Sequence, residues 1–501
     1  MPTDDRRPFS SLEMSVVEAN ALALGVSLTE LMAGAGRAVA EEAALRLPPP
    51  PARVALVVGP GNNGGDGLAA ALELKHRGYR PELWRLPPPE RLRGAAVRHF
   101  YEEAARRLPI HSGVPEAREL AEFPLVIDGI LGTGQTGALR SPYAEAVAHL
   151  RQAQRPILAI DLPTGIEDPQ GIRAQWTVAL TGPKAETPPD RCGEEIVRSI
   201  GIPPEAWEST GPGEFQALIP WSRPTVRGRS GRLLIIGGGP YAGAPALAGR
   251  AALRTGAERS TLLVPGGVAA TIQGFGPDLI VQGVGTGGRW TSDQVGPVTE
   301  TIGRLRPGSL ALGMGAGDHP ETRAFFEGVR DWLAAHPDGH GPVLYDADAL
   351  AVLAEGSRPP STRGPAVFAT PNLGEYRRWF EGSAEPTAAE VADRARSRGL
   401  HLLVKGSTDW LSDGPRTVRN RHHHPAMTVG GMGDVLDGVL GGLLAQGIEP
   451  WVAGRLAIYW VGEAGGRAQR RRGFGLLASD VIEEIPAAAV EALGGAAPAQ
   501  A

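Results

Sequence analysis

The sequence predicts an α/β protein of two domains, and three observations lead there. Its 501 residues exceed what one hydrophobic core accommodates, roughly 250 to 300 residues. Short continuous apolar runs alternate with helical stretches, the pattern of mostly parallel sheets covered on both faces. Several of those runs end in glycine-rich turns that carry acids, at the strand ends where open α/β sheets bind ligands.

Composition narrows the function. Hydrophobic residues make up 42% of the chain, enough for full cores, and the formal net charge of −5 is spread with both signs interspersed. Such a surface has no electrostatic footprint for nucleic acid or an anionic membrane, so small-molecule chemistry is expected. The single cysteine, Cys192, excludes an internal disulfide and suits a reducing compartment. The start, Met1 to Arg7, has no apolar core of a signal peptide, and no run of 18 apolar residues spans a membrane, so the cytoplasm is expected.

In chain order, Leu12, Val16, Ala19 and Ala23 share a helical face that ends at Gly25. Ser27 and Glu30 have capping-box spacing and open a second helix that buries Leu28, Leu31, Met32, Ala35 and Val39. That helix stops before Pro48 to Pro51. Both helices read as scaffold.

Val54 to Val58 reads as a strand buried on both faces, followed by Gly59-Pro-Gly-Asn-Asn-Gly-Gly-Asp-Gly67 and a helix over Leu68 to His76. Five glycines and three polar side chains at a strand end suit a ligand loop; the plain alternative is a flexible turn. Two later strands repeat the pattern, Leu125 to Ile127 running into Asp128 and Pro156 to Ile160 running into Asp161. Gly132, Gly134 and Gly137 match G-x-G-x-x-G, a weak signal alone, and Ser141-Pro142 soon interrupts any helix, which speaks against a dehydrogenase fingerprint. Glycines beside a pyrophosphate fit.

Between 204 and 230 breakers crowd out core residues, including Trp221 to Pro224 and Arg227 to Gly231, and the boundary is placed near 215. The second half opens with strand Leu233 to Ile236, the turn Gly237 to Pro245 and a helix from Ala246 to Thr255. Six more apolar runs follow, around Leu262, Leu279, Leu310, Leu344, Val367 and Leu402. Strand ends carry Gly313 to Gly317, Asp346-Ala-Asp348, Thr370 to Glu375 and Lys405 to Asp409.

The most informative stretch is Met427 to Gly438, with Asp434 ringed by Gly430, Gly431, Gly433 and Gly438 and followed by apolar residues at helical spacing. Gly430 to Asp434 is expected to open a helix. The N–H groups of such an opening point outward with partial positive charge and suit a phosphate, and an aspartate there can take a proton from an attacking hydroxyl. The alternative is a tightly packed turn. His422 to His424 reads as a polar loop rather than a metal site, because adjacent histidines on an extended segment face opposite ways. Asp346 and Asp348 either bind a cation or, in the case of Asp348, cap the next helix.

These motifs together carry a resemblance. Residues 10 to 210 resemble the NAD(P)H-hydrate epimerase domain through Asn62 to Asp66, Asp128, Gly132 to Ala138, Asp161 to Gly165, Thr181 to Lys184 and Ile196 to Pro203. Residues 225 to 490 resemble the ADP-dependent NAD(P)H-hydrate dehydratase branch of the ribokinase-like superfamily. The resemblance implies a Rossmann-like three-layer domain over 1–215 and a ribokinase-like α/β domain over 216–501. It implies that Asn63, Asp128 and Thr164 bind potassium (K+), an oxygen set suited to a hard cation, with Asp128 also catalytic. Asn62, Asn63, Gly64, Gly65, Asp66, Gly132, Thr133, Gly134, Gln135, Thr136, Gly137, Ala138 and Asp161 would line the epimerase substrate site. Ala257, Gly315, Asn372 and Asp434 would contact the hydrated nicotinamide nucleotide. Lys405, Gly406, Ser407, Thr408, Asp409 and Gly433 would hold the adenine nucleotide, with Asp434 as general base. Thr164 stands where a serine is usual, Asn372 where many members have histidine, Met432 where threonine separates the glycines, and Gly313-Met-Gly lacks the usual proline.

The implied function is repair of NADHX and NADPHX, the hydrates of NADH and NADPH. One half interconverts the R and S epimers; the other dehydrates the S form while ADP becomes AMP and phosphate. Mg2+ is expected with the phosphates, and a homo-oligomer is expected. Two other classes stay open at this point. A small-molecule kinase would use Gly433 and Asp434 but release a stable phosphorylated product. In the other, the N-terminal half is a nucleotide-binding module without turnover.

Overall fold

The structure is a computed structural model and describes residues 8–135, 137–185, 188–218, 231–354, 364–380 and 385–492. Thr136 and the segment 219–230, with its Trp221 and Arg227 motifs, lie outside the described residues. The chain divides into two compact units, Met1–Ala206 and Trp207–Ala501.

Among the described residues, the first unit is built on a seven-stranded parallel sheet flanked by helices. Its strands are β1 (Arg53–Val58), β2 (Arg80–Arg85), β3 (Ile110–Ser112), β4 (Val126–Gly129), β5 (Ile157–Ile160), β6 (Trp176–Leu180) and β7 (Glu194–Arg198), in the order β3-β2-β1-β4-β5-β6-β7. The order reverses between β1 and β4, which opens a crevice at their carboxyl ends. There Val57 pairs with Asp128 and Val58 with Gly129. Residues 54 to 58 are buried, as their unbroken apolar run requires.

The capping box of Ser27 and Glu30 forms: the Glu30 N–H donates to Ser27 Oγ at 3.2 Å and the Ser27 N–H to Glu30 Oε2 at 2.8 Å. Two local expectations change. On the first helix, Ser11–Ala23, Leu12 and Ala23 are exposed, and the buried face holds Glu13, Met14, Val16, Val17, Asn20 and Ala21. The face is rotated because polar Glu13 and Asn20 find partners inside: Glu13 closes a capping box with Ser10, and Asn20 donates to the Ala206 carbonyl at 3.2 Å. The helix after β1 starts at Asn62 instead of Leu68, so Asn62 to Gly67 is its opening and not a loose turn. The glycines permit this by packing. A Cβ on Gly64 would lie 2.0 Å from the Gly59 carbonyl, and one on Gly65 2.5 Å from Met32 Sδ.

Among its described residues the second unit has nine strands: β8 (Arg232–Ile236), β9 (Arg259–Pro265), β10 (Ile280–Val284), β11 (Ser309–Leu312), β12 (Val343–Tyr345), β13 (Val367–Ala369), β14 (His401–Val404), β15 (Asp409–Ser412) and β16 (Thr417–Asn420). Their order is β10-β9-β8-β11-β12-β13-β14-β15-β16, parallel as far as β14 and antiparallel for the last two pairings. All seven expected apolar runs of this half are strands. β15 and β16 are additions: Asp409 begins a strand rather than ending a loop.

The helix expected around Asp434 spans Met432–Ala445 and has Gly431 at its N-cap with φ of 92°. A side chain there would be strained by the left-handed backbone and would clash with Leu247, whose Cδ1 lies 2.6 Å from a built Cβ. Behind it runs the helix Pro450–Arg472. Among the described residues, no helix is long and apolar enough to cross a membrane.

Candidate active sites

In the first unit a cavity of about 790 Å³ opens at the β1/β4 crevice. It is lined by Asn62, Asn63, Asp66, Gly132 to Gln135, Gly137, Ala138 and Asp161, so most of the expected substrate residues come together. Gly64 and Gly65 lie in the packing beneath the cavity, for the steric reason above. The two loops forming the rim are stapled: the Gly165 N–H donates to Gln135 Oε1 at 2.9 Å and the Leu139 N–H to Asp168 Oδ2 at 2.9 Å.

Asp128, fully buried, does not line this cavity. Its carboxylate accepts from the Ile130 N–H at 3.1 Å, the Thr164 N–H at 2.8 Å and Thr164 Oγ1 at 2.7 Å. Burial pushes it up to about 6, against these hydrogen bonds, which favour the charged form. Asn63 donates through Nδ2 to the Leu131 carbonyl at 3.0 Å, and the Leu131 N–H donates to Thr164 Oγ1 at 3.0 Å. Asn63, Leu131, Thr164 and Asp128 therefore form one connected group of oxygens. Within it, Asn63 Oδ1 is buried without a hydrogen-bond partner. An orphaned amide oxygen in a set of hydroxyl, carboxylate and carbonyl oxygens fits a hard monovalent cation.

Two further residues line this cavity, Glu18 on the first helix and Lys184 after β6; nothing in the sequence marks Glu18, and Lys184 stands in the Thr181 to Lys184 motif without an assigned place in the site. Buried Lys184 donates to Asp161 Oδ1, to the Leu180 carbonyl at 3.0 Å and to the Gly182 carbonyl at 3.1 Å, and Asp161 takes a left-handed φ of 63°. Burial, helped by the Asp161 charge, pushes Glu18 up to about 7 and Asp66 well above the usual carboxylate range. Glu18 carried no signal because its helix read as scaffold.

In the second unit a cavity of about 560 Å³ is lined by Asn372, Lys405, Gly406, Ser407, Asp409, Gly433 and Asp434, with Asp346, Glu375, His422 and His423. Thr408, Ala257 and Gly315 do not line it. Gly315, with φ of 70°, packs under the Tyr241 carbonyl, 2.3 Å from where a Cβ would stand. Asn372 caps the helix Leu373–Phe380: its Oδ1 accepts from the Glu375 N–H at 3.0 Å. Asp409 braces the loop, accepting from the Gly406 N–H at 3.1 Å and from Asn420 Nδ2 at 3.1 Å.

Asp434 stands on the first turn of the helix Met432–Ala445, among N–H groups that no preceding turn satisfies. Burial, then the Asp346 charge, pushes it up to about 7, opposed by Lys405. The Lys405 ammonium donates to Asp346 Oδ1 at 2.6 Å, which also accepts from Thr370 Oγ1 at 3.1 Å. Asp346 is thus occupied by an internal cation. Asp348 accepts from the Gly317 N–H at 2.6 Å, bracing the loop after β11. His422 pairs with Glu463 at 3.2 Å.

Two α/β units, each with a cavity at its strand ends that mixes apolar walls with a few acids and amides, and one with a carboxylate at a helix opening, have the make-up of a small-molecule enzyme. A family profile described as YjeF-related protein N-terminus matches residues 28–186, and one described as NAD(P)H-hydrate dehydratase matches residues 233–487. The chain belongs to the family of bifunctional NAD(P)H-hydrate repair enzymes. It is 35% identical to the Hyperthermus butylicus member over 503 residues, covering 96% of this chain and 92% of that protein. It is also 35% identical to the Methanothermobacter thermautotrophicus member, covering 95% of this chain and 94% of that protein. Among solved structures, an ADP/ATP-dependent NAD(P)H-hydrate dehydratase from Bacillus subtilis co-crystallized with ATP/Mg2+ aligns with a TM-score of 0.47 at 21% identity, covering 56% of this chain and 96% of that chain.

Proposed function

We propose that residues 1–215 epimerise NADHX and NADPHX and that residues 216–501 dehydrate the S epimer with ADP as phosphoryl donor. The observation that carries the reading is Asp434, a carboxylate on a helix opening above a buried lysine. Hydroxide is a poor leaving group. Asp434 takes the proton of the hydrate's hydroxyl, whose oxygen attacks the terminal phosphoryl group of ADP while AMP leaves. The outward N–H groups of the helix opening hold the phosphoryl charge. The ring nitrogen lone pair then expels phosphate, and loss of a neighbouring proton restores NAD(P)H. Mg2+ bound with the phosphates would neutralise part of their charge.

In the first unit, Asn63, Asp128 and Thr164 would hold K+, which supplies a fixed positive charge beside the substrate. Asp128 then acts through that charge and through Thr164, from behind the cavity wall. Asn62, Asp66, Asp161, Gly132 to Gln135, Gly137 and Ala138 line the space for the nucleotide. Buried Cys192 supports a reducing, cytoplasmic setting for the enzyme, which we take as a homo-oligomer. The test is the absorbance of restored NADPH when NADPHX is supplied with ADP, with AMP and phosphate measured alongside. Equal amounts of the three products support the reading; a stable phosphorylated hydrate would make the second unit a kinase.

Two outcomes follow from the site. A base that works ionised loses activity as pH falls through its own titration, so kcat/KM for dehydration is expected to drop below an apparent pKa near 7. A flat profile from pH 6 to 8 would contradict the role of Asp434. Gly433→Val is expected to raise the KM for ADP at least about tenfold, by displacing the lysine and blocking close phosphate approach. The three atoms nearest a Cβ at Gly433 all belong to the Lys405 side chain, Nζ at 3.0 Å, so the strain falls on that side chain rather than on backbone. Steady-state kinetics over ADP concentration check this.

A further inference from the structure

One turn beyond Asp434 on the same helix stands Asp437, which is fully buried. Its Oδ2 accepts from the Lys405 ammonium at 3.2 Å, while its Oδ1 is buried and receives no donor. Its other polar neighbour is Asp346, which the same ammonium binds at 2.6 Å, and the two carboxyls lie within hydrogen-bonding reach of each other. Lys405, the residue just past β14, therefore reaches its ammonium into a cage made by the end of β12 and the helix. Its Nζ presses against the helix opening, 3.0 Å from where a Gly433 Cβ would be.

A second buried carboxylate beside a phosphate site would repel the phosphate. The cage avoids this if Asp437 keeps its proton and donates it to Asp346, which also gives the orphaned carboxyl a partner. Burial, then the Asp346 charge, pushes Asp437 well above the usual range; at Asp346 burial is the largest single influence, but the Lys405 ammonium together with the hydrogen bonds from Asp437, Lys405 and the Ala347 backbone holds that carboxyl below the usual range. The cluster then comprises one ammonium, one carboxylate and one neutral acid, with no net charge.

We propose that Asp437 is a positioning residue for phosphoryl transfer: its carboxyl locks the Lys405 ammonium beneath Gly433, so that nucleotide phosphates meet a fixed cation instead of a mobile side chain. This rests on the reading of the second unit as a nucleotide-dependent dehydratase. A lysine stem left free would have to be ordered each time a nucleotide binds, and the cage removes that cost in advance.

The test uses the full chain, titrated with ADP and Mg2+ in a calorimeter and assayed over ADP and NADPHX concentrations. Asp437→Ala is expected to weaken ADP binding about tenfold, the effect of losing one charge-assisted contact, with KM for NADPHX within about twofold of the wild-type value. Asp437→Asn retains an acceptor for Lys405 and a donor for Asp346, and is expected to recover most of that affinity. In a Lys405→Ala background, Asp437→Ala is expected to cost nothing further, because its effect runs through that ammonium. Should Asp437→Ala not fold, Asp437→Ser is a second shortened side chain with the same expectation. Wild-type ADP affinity in the shortened variant, an asparagine variant as weak as alanine, or additive losses with Lys405→Ala would each overturn the proposal. Failure of the wild type itself to bind ADP would instead remove the reading beneath it.

Discussion

Asp434→Asn is expected to lower the rate of dehydration by about 10² to 10⁴, the usual cost of removing a general base, while epimerisation by the same protein continues. The geometry behind the expectation is specific. Asp434 lies on the first turn of its helix, where unsatisfied N–H groups would attract a phosphate, and burial together with the Asp346 charge places its titration near neutrality. A base with that value is ionised for much of the time yet still binds a proton well. The asparagine keeps the shape and loses only the capacity to accept a proton. Because the carboxylate form is disfavoured in the fold, its removal is not expected to lower the melting temperature at pH 8. Loss of dehydration with an unchanged melting temperature separates chemistry from damage. Near-normal dehydration would remove Asp434 from the mechanism.

Much of this arrangement is legible in the chain. Val54 to Val58, Leu233 to Ile236 and Leu310 to Leu312 are continuous apolar runs, and strands buried on both faces have no alternative. The opening at Gly431 is readable because glycines precede an apolar period of helical spacing. What escapes reading depends on tertiary contacts. β15 and β16 hold charged and polar residues, Asp409, Arg419 and Asn420 among them, and become strands through pairing with β14 and with each other. The first helix turns a different face inward because Glu13 and Asn20 find partners that periodicity cannot foresee. Gly64 and Gly65 belong to helix packing, although in sequence they are indistinguishable from loop glycines. Asp437 occupies a polar slot of its helical pattern, and only the approach of Lys405 and Asp346 shows why an acid is buried there.

If the two units perform successive steps, a progress curve on mixed epimers separates them. Asp128 belongs to the first unit and Asp434 to the second. Asp128→Asn removes the charge and leaves an amide nitrogen facing the Ile130 N–H or the Thr164 N–H, so the cation site proposed for the oxygen cluster with Asn63 is expected to be lost. Epimerisation is expected to fall at least about 10²-fold, the cost of losing one fixed electrostatic contact, while the second unit keeps its Asp434. Given R and S NADPHX with ADP, the wild type is expected to restore NADPH completely in one phase. The variant is expected to convert the S fraction at the wild-type rate and then slow to spontaneous epimerisation, and wild type stripped of potassium is expected to trace the same two phases. Complete single-phase conversion by the Asp128→Asn protein would contradict the account.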